Sequence, residues 1–346
     1  MKAVTGKIIH VCIVLIAVGI GLLISGFILG GRKGFALDYG NKKIRYANEG
    51  IETGELELEK FDEAEISIPY ASLEIVEGDS WKLEYTKSND YDLTAEVKNG
   101  KFTLNYRTQP RELHFNIFYF ESEQSFKLYV PKGTVLKKAD IDQESGRFAM
   151  SGVDVNDFKL HNEYGSVSIE NMKSENTDIE AQSGSAKLTN VETDKLKFYD
   201  EYGSIHFTDV TAKEAEVKAE SGSVKMENVT TDDMYLKDEY GSITLDNVKS
   251  DKARLELSSG SLKTLGFESS DIDVKSEYGS VNLELKGQKE EFSYDLETEY
   301  GSIKIDGENP NKKSDDDDDK KKYVKQGGDK NIKVRAESGS IKIDFD

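Results

Sequence analysis

Glutamate stands two residues before a glycine again and again: Glu144, Glu163, Glu201, Glu220, Glu239, Glu277, Glu299 and Glu337. Gln182 and Ser258 fill the same place in two other copies. If the copies stack as strands, these carboxylates lie ~4.8 Å apart. Neighbouring charges at that distance repel by roughly 1 kcal/mol in water. The file therefore has to be neutralised. Lysines from adjacent copies would do this and leave an ordinary solvated acidic face. Ca2+, which takes oxygen ligands, would also do it, along Glu163, Glu201, Glu220, Glu239 and Glu277. A carboxylate pair for glycoside cleavage has less support, because nothing singles out one pair.

Other chemistry is scarce. Outside an apolar N-terminal run, the histidines are His114, His161 and His206. His161 and His206 fall at different places in the repeat. The chain has no HExxH, nucleophile elbow, P-loop or GxGxxG opening a helix. Serine follows nearly every repeat glycine, and a residue present in every copy marks a bend rather than a nucleophile. The expectation is a binding or structural protein, not an enzyme, with no catalytic residue and no cofactor beyond the Ca2+ considered above. Lys and Arg number 46 against 66 Asp and Glu, a net charge of −20. That surface repels phosphate backbones, so nucleic acid is not an expected partner. Cys12 is the only cysteine, which excludes an intrachain disulfide.

The glycines that position the glutamates are Gly146, Gly165, Gly184, Gly203, Gly222, Gly241, Gly260 and Gly279, at one constant step. Gly301 follows after a slightly longer step, and Gly339 after a double one. Five residues before each glycine is an apolar residue, for example Leu160, Phe198, Leu236 and Val274. Two, four and seven residues after it are more, such as Val224, Met226 and Val229. Alternation with polar residues is the period of a strand with one buried face. A fixed period sustained this long marks a solenoid. The fold expected is all-β: a parallel β-solenoid with one repeat per coil, the coils alternating ESGS and EYGS. A flattened coil built of two repeats is the alternative. Asn171, Asn190, Asn228 and Asn247, with Asp209, precede a buried residue. Asn suits such a corner because it tolerates left-handed backbone and bonds its own copies above and below.

The residue before the glycine alternates: Ser145, Tyr164, Ser183, Tyr202, Ser221, Tyr240, Ser259, Tyr278. Parity along the strand points this position inward. Alternating large and small residues then lets each ring spread over its small neighbour. Two residues before it the chain is polar in Tyr coils (Asn162, Asp200, Asp238, Ser276) and apolar in Ser coils (Ala181, Ala219, Leu257). The tyrosine hydroxyls are expected to find partners in that polar set.

The flanks complete the organisation. Residues 1–7 are a short flank. Residues 8–31 carry no charged-type side chain except His10, and about 20 apolar residues span a bilayer as a helix. A retained single-pass transmembrane helix is expected there, with a linker at 32–50. Lys and Arg flank both ends, so charge does not orient it. Residues 51–135 are expected to form an antiparallel β cap, with a hairpin at "KNGK". The solenoid runs over 136–308. A charged loop insert, with its DDDDDK run, fills 309–330, and 331–346 is read as the terminal coil.

The recurring "EYGSI/ESGSV" phrase over 141–306 and 332–346, the "KLYVPKG" strand at 127–133 and the N-terminal anchor together resemble the bacterial putative adhesin family. That family has β-solenoid repeats and no defined function. Some members look like membrane proteins encoded with Gram-positive cell-envelope stress systems. The resemblance implies a cell-membrane protein whose large C-terminal domain faces outward. Its implied role is adhesin or envelope contact with a repetitive wall or surface polysaccharide. Alternatives are a regulatory or scaffold role among envelope-stress membrane proteins, and a polysaccharide-active enzyme.

Overall fold

The computed structural model describes residues 16, 18–22, 25, 35–38, 43–46, 50–89, 91–108, 123–310 and 320–346. The chain forms two units. The smaller contains Met1–Thr53, Thr86–Asp92 and Thr108–Glu123. In it, Phe35–Asp38 pairs antiparallel with Lys43–Tyr46, so part of the expected linker is a two-stranded ribbon. The expected span at 8–31 lies mostly outside the described residues. Residues 16, 18–22 and 25 are helical. Among the described residues no helix is long and apolar enough to cross a membrane.

The larger unit is the solenoid. Leu236 pairs in parallel with Leu255, and Gly241 with Gly260, each with its equivalent in the very next repeat. One coil is therefore one repeat, and the two-repeat alternative falls. In the coil of Gly165, three inward-facing runs are buried, at 153–155, 158–162 and 167–169. Corners separate them. The apolar columns meet inside, with Leu236, Leu255 and Val274 fully buried. Each such side chain contributes roughly 1.5–3 kcal/mol relative to exposure. Stacking places identical residues in identical surroundings, which is why the columns are so regular.

One corner is held by a side-chain ladder. Asn171, Asn190, Asp209, Asn228 and Asn247 all have φ between 51° and 55°. Asn190 Nδ2 donates to Asn171 Oδ1 at 2.7 Å, Asn228 to Asp209 at 3.0 Å, and Asn247 to Asn228 at 2.8 Å. Lys286 Nζ closes the file on Asn247 Oδ1 at 2.8 Å.

Both ends of the stack differ from the sequence expectation. The cap is not simply antiparallel, because the solenoid starts earlier. Glu63–Tyr70 and Ser72–Gly78 form a coil that pairs in parallel with the Gly146 coil. Ala71 sits where later coils have glycine. Beyond it, Lys101–Thr108 and Ser125–Pro131 pair in parallel on its other side. The hairpin is present: Asn99 and Gly100 both have positive φ, between Tyr91–Lys98 and Lys101–Thr108. At the other end, 331–346 is not the terminal coil. Lys330–Ser338 and Ile341–Phe345 pair with the Gly279 coil on one side and with the Gly301 coil on the other. The Gly301 coil is outermost. Within the expected loop 309–330, Lys321–Lys325 is a strand that runs antiparallel along Phe292–Tyr300. It pairs an edge that would otherwise be open.

Candidate functional site

The four residues of the repeated phrase form one edge of the solenoid. In the Gly203 coil, Asp200 is buried, Glu201 half-buried, Tyr202 exposed and Ile205 buried. The chain turns here, so inward and outward no longer alternate. The tyrosine that parity points inward faces solvent instead. Tyr164, Tyr202, Tyr240 and Tyr278 are 59–67% exposed, and Tyr300 and Tyr70 are 62% and 49% exposed. The expectation of a packed interior tyrosine is thus overturned. Strand parity holds only along straight backbone.

The glycines have a steric reason. Gly222 has a φ of 128°, where a side chain is strained. A Cβ on it would also overlap the carbonyl oxygen of Gly203, and one on Gly241 that of Gly222. Coils approach so closely here that the whole column has no room for side chains. Gly165, Gly184, Gly260, Gly279 and Gly301 sit against a neighbouring glycine in the same way.

The spatial order along this edge is Tyr70, Ser145, Tyr164, Ser183, Tyr202, Ser221, Tyr240, Ser259, Tyr278, Ser338, Tyr300. The alternation is unbroken from one end to the other. In the chain Tyr300 comes before Ser338, so only the inserted C-terminal coil preserves it. The edge also carries serines one residue after the glycine. Ser223 Oγ donates to Ser204 Oγ at 3.3 Å, and Ser302 and Ser340 share a hydrogen bond of 3.1 Å.

The glutamate column lies beside the tyrosines and faces outward. Its members are not drawn together. Glu239 pairs with Lys237 at 2.7 Å, and this hydrogen bond raises the lysine pKa. Glu220 accepts a hydrogen bond from Tyr199, which raises the Tyr199 pKa. Glu163 lies 3.7 Å from His161. Among the described residues no group of three or more His, Cys, Asp or Glu is placed to hold a metal ion. Glu163, Glu201, Glu220, Glu239 and Glu277 therefore remain a row of separate carboxylates, and the structure assembles no Ca2+ site from them. His206 bonds Glu227 at 2.7 Å on another face.

Beneath the tyrosines lies a file of buried polar groups. Gln143 Nε2 donates to the Ala71 carbonyl at 2.6 Å, and Asn162 Nδ2 to Gln143 Oε1 at 3.0 Å. Thr298 Oγ1 donates to the Gly339 carbonyl at 2.8 Å. The expected partnership of these groups with tyrosine hydroxyls does not form, because the rings point away. Asp200 and Asp238 are fully buried. Burial pushes each carboxyl up to about 6. The N–H groups of Gly203 and Tyr202 oppose this at Asp200, as the Tyr240 N–H does at Asp238. None of the four carboxylate oxygens reaches a well-formed hydrogen bond. Sequence reading passed over these two aspartates as sites. The signal was present: polar residues in a column that is Ala or Leu in adjacent coils.

The edge presents a line of rings, hydroxyls and carboxylates with a two-coil period.

Comparison with solved structures gives distant likenesses. A putative adhesin from Parabacteroides merdae ATCC 43184 is 9% identical with a TM-score of 0.40, over 87% of this chain and 98% of that one. A protein described as a putative lipid binding protein, from Parabacteroides distasonis ATCC 8503, is 16% identical with a TM-score of 0.43, over 87% and 98%. A putative cell adhesion protein from Clostridium sporogenes ATCC 15579 is 12% identical with a TM-score of 0.19, over 86% and 99%. No curated protein matches the sequence. The Toastrack DUF4097 family model matches residues 61–201 and 187–344, most of the chain and nearly all of the solenoid, and the chain belongs to that family.

Proposed function

We propose that this chain is an adhesin-like envelope-contact module. Its tyrosine edge binds an extended, repetitive surface polymer, and it catalyses no reaction itself. The observation that supports this is the exposed Tyr/Ser alternation, kept in register through the reordered C-terminal coils. Solvent-facing rings gain little for folding, and exposed tyrosines gathered along one edge are the composition of a contact surface. The apolar run at 8–31 holds the module at the cell membrane, with the solenoid outside the cytoplasm.

The test is retention of the full-length chain, in detergent micelles, by isolated cell-wall and surface polymers. The comparison is with a variant carrying Tyr164→Ser, Tyr202→Ser and Tyr240→Ser. Saturable retention of the wild type and its loss in the variant is the expected result. Equal retention of both overturns the reading. Repeating the assay with chelator asks whether Ca2+ takes part.

A further inference from the structure

We infer that the polymer held by the tyrosine edge is a basic, proline-rich polypeptide in the polyproline II conformation, lying along the solenoid axis. The inference rests on the contact function proposed above and names the ligand of that edge.

The argument is one of matching periods. Parallel strands repeat at ~4.8 Å, so tyrosines on every second coil recur at ~9.6 Å. A polyproline II helix has three residues per turn and a 3.1 Å rise, about 9.3 Å per turn. The mismatch is about 0.3 Å per turn. Over the five intervals from Tyr70 to Tyr300 it accumulates to roughly 1.5 Å, which side-chain rotation absorbs. Other regular chains fit less well. An extended strand shows one face every ~6.8 Å and falls out of step at the first ring. An α-helix repeats a face after seven residues, about 10.5 Å, and drifts by roughly 4.5 Å over the same length. A polyproline II ligand can therefore place one turn on every tyrosine of the edge.

The chemistry agrees with the period. Proline rings dock on aromatic side chains, and a preformed polyproline II helix loses little entropy on binding. Its carbonyls have no internal partners. The edge supplies donors for them: the tyrosine hydroxyls and the serine column represented by Ser204, Ser223 and Ser242. The serines between tyrosines, such as Ser183 and Ser221, leave the recess between rings open. Glu201, Glu220 and Glu277 run beside the rings with no ion pair among the described residues, on a chain of net charge −20, so the complementary ligand is basic.

The test uses the full-length chain in micelles and a fluorescent peptide of six Pro-Pro-Arg triplets, one per tyrosine, read by anisotropy. A Gly-Ser-Arg peptide of equal length and charge is the control, and a neutral glycan oligomer is the third arm. The triplet peptide is expected to bind at least about tenfold more tightly than the control. Tyr202→Ser with Tyr240→Ser should weaken it about tenfold or more. Tyr202→Phe with Tyr240→Phe keeps both rings and removes two donors, so its binding should fall between wild type and the serine pair, which verifies that the edge is intact. Equal binding of the triplet and control peptides overturns the inference, and so does indifference to the tyrosines. If the glycan oligomer or wall polymers still require the tyrosines, the contact function stands and only the ligand class is wrong. If nothing binds through the tyrosines, both are wrong.

Discussion

Tyr278 pairs in register with Ser338, and not with Tyr300, which lies much nearer to it along the chain. Had the coils stacked in chain order, two tyrosines would be neighbours. The inserted coil keeps a serine between them. Core burial does not demand this, since Ile332, Val334, Ile341 and Ile343 would be buried in any coil of the stack. The exposed edge is what benefits.

Replacing Tyr202 and Tyr240 with serine should leave stability nearly unchanged. Exposed substitutions away from caps and strained positions usually stay within about 0.5 kcal/mol each. Had the rings packed inside the corner, loss of each would cost about 3–5 kcal/mol. Urea unfolding followed by circular dichroism separates the two cases. A large shift of the midpoint would return the tyrosines to the interior.

Asp200 and Asp238 should make the protein more stable in mild acid than at neutral pH. Each carboxyl is raised from 3.8 to about 6 in the folded state. The folded chain therefore binds more protons than the unfolded chain between those values, and stability falls as pH rises through that window. The contribution is at most about 2–3 kcal/mol for each carboxyl. Glu227, Asp295 and Glu297 oppose it at lower pH, because their basic partners hold their pKa down. The informative quantity is thus a difference. Asp200→Asn with Asp238→Asn should stabilise the chain at pH 7, and the gain should vanish near pH 4. Asn162 already holds the equivalent place in its own coil. A double variant no more stable than wild type at pH 7 would mean that both carboxylates are already compensated.

Much of this structure was legible because stacking repeats one environment at every coil. The columns of Leu236 and Val224 declare the fold, and the Asn228 column declares a corner. The glutamates were placed outward correctly, since Glu239 still lies on straight strand. Tyr240, one residue on, was not, because the turn begins there. The first coil was hidden because "YAS" at Tyr70–Ser72 carries Ala71 where the repeat has glycine. The strands described on its other side, Lys101–Thr108 and Ser125–Pro131, do not carry the repeated phrase at all. The order of the last coils has no local signal. Its one trace is the alternation itself, which called for serine after Tyr278.

Asn228→Ala should cost about 1–2 kcal/mol. The side chain bonds Asp209 at 3.0 Å and Asn247 at 2.8 Å, and its φ is 54°. Asn228→Gly loses the same hydrogen bonds but adopts this φ without strain, so it should cost less than alanine. Thermal unfolding of both variants gives the order. Alanine proving equal to glycine would show that left-handed backbone is not what asparagine supplies here.

The order of the terminal coils can be tested covalently. Asp273 and Lys333 are register partners, with their side chains 2.9 Å apart. Asp295 is the partner of Lys333 on its other side. Asp273 and Asp295 are thus two strands apart, about 9.6 Å, and no disulfide spans that distance between Cα atoms. With Cys12→Ser as background, the pair Asp273→Cys and Lys333→Cys should oxidise readily. The pair Asp273→Cys and Asp295→Cys should not. The reverse result would mean that the coils stack in chain order, with Tyr278 beside Tyr300. The even spacing of rings that the ligand inference requires would then fail at that end, where Tyr278 and Tyr300 would be adjacent, about 4.8 Å apart, with Ser338 beyond them. The two disulfides therefore decide whether a six-turn ligand finds six evenly spaced rings.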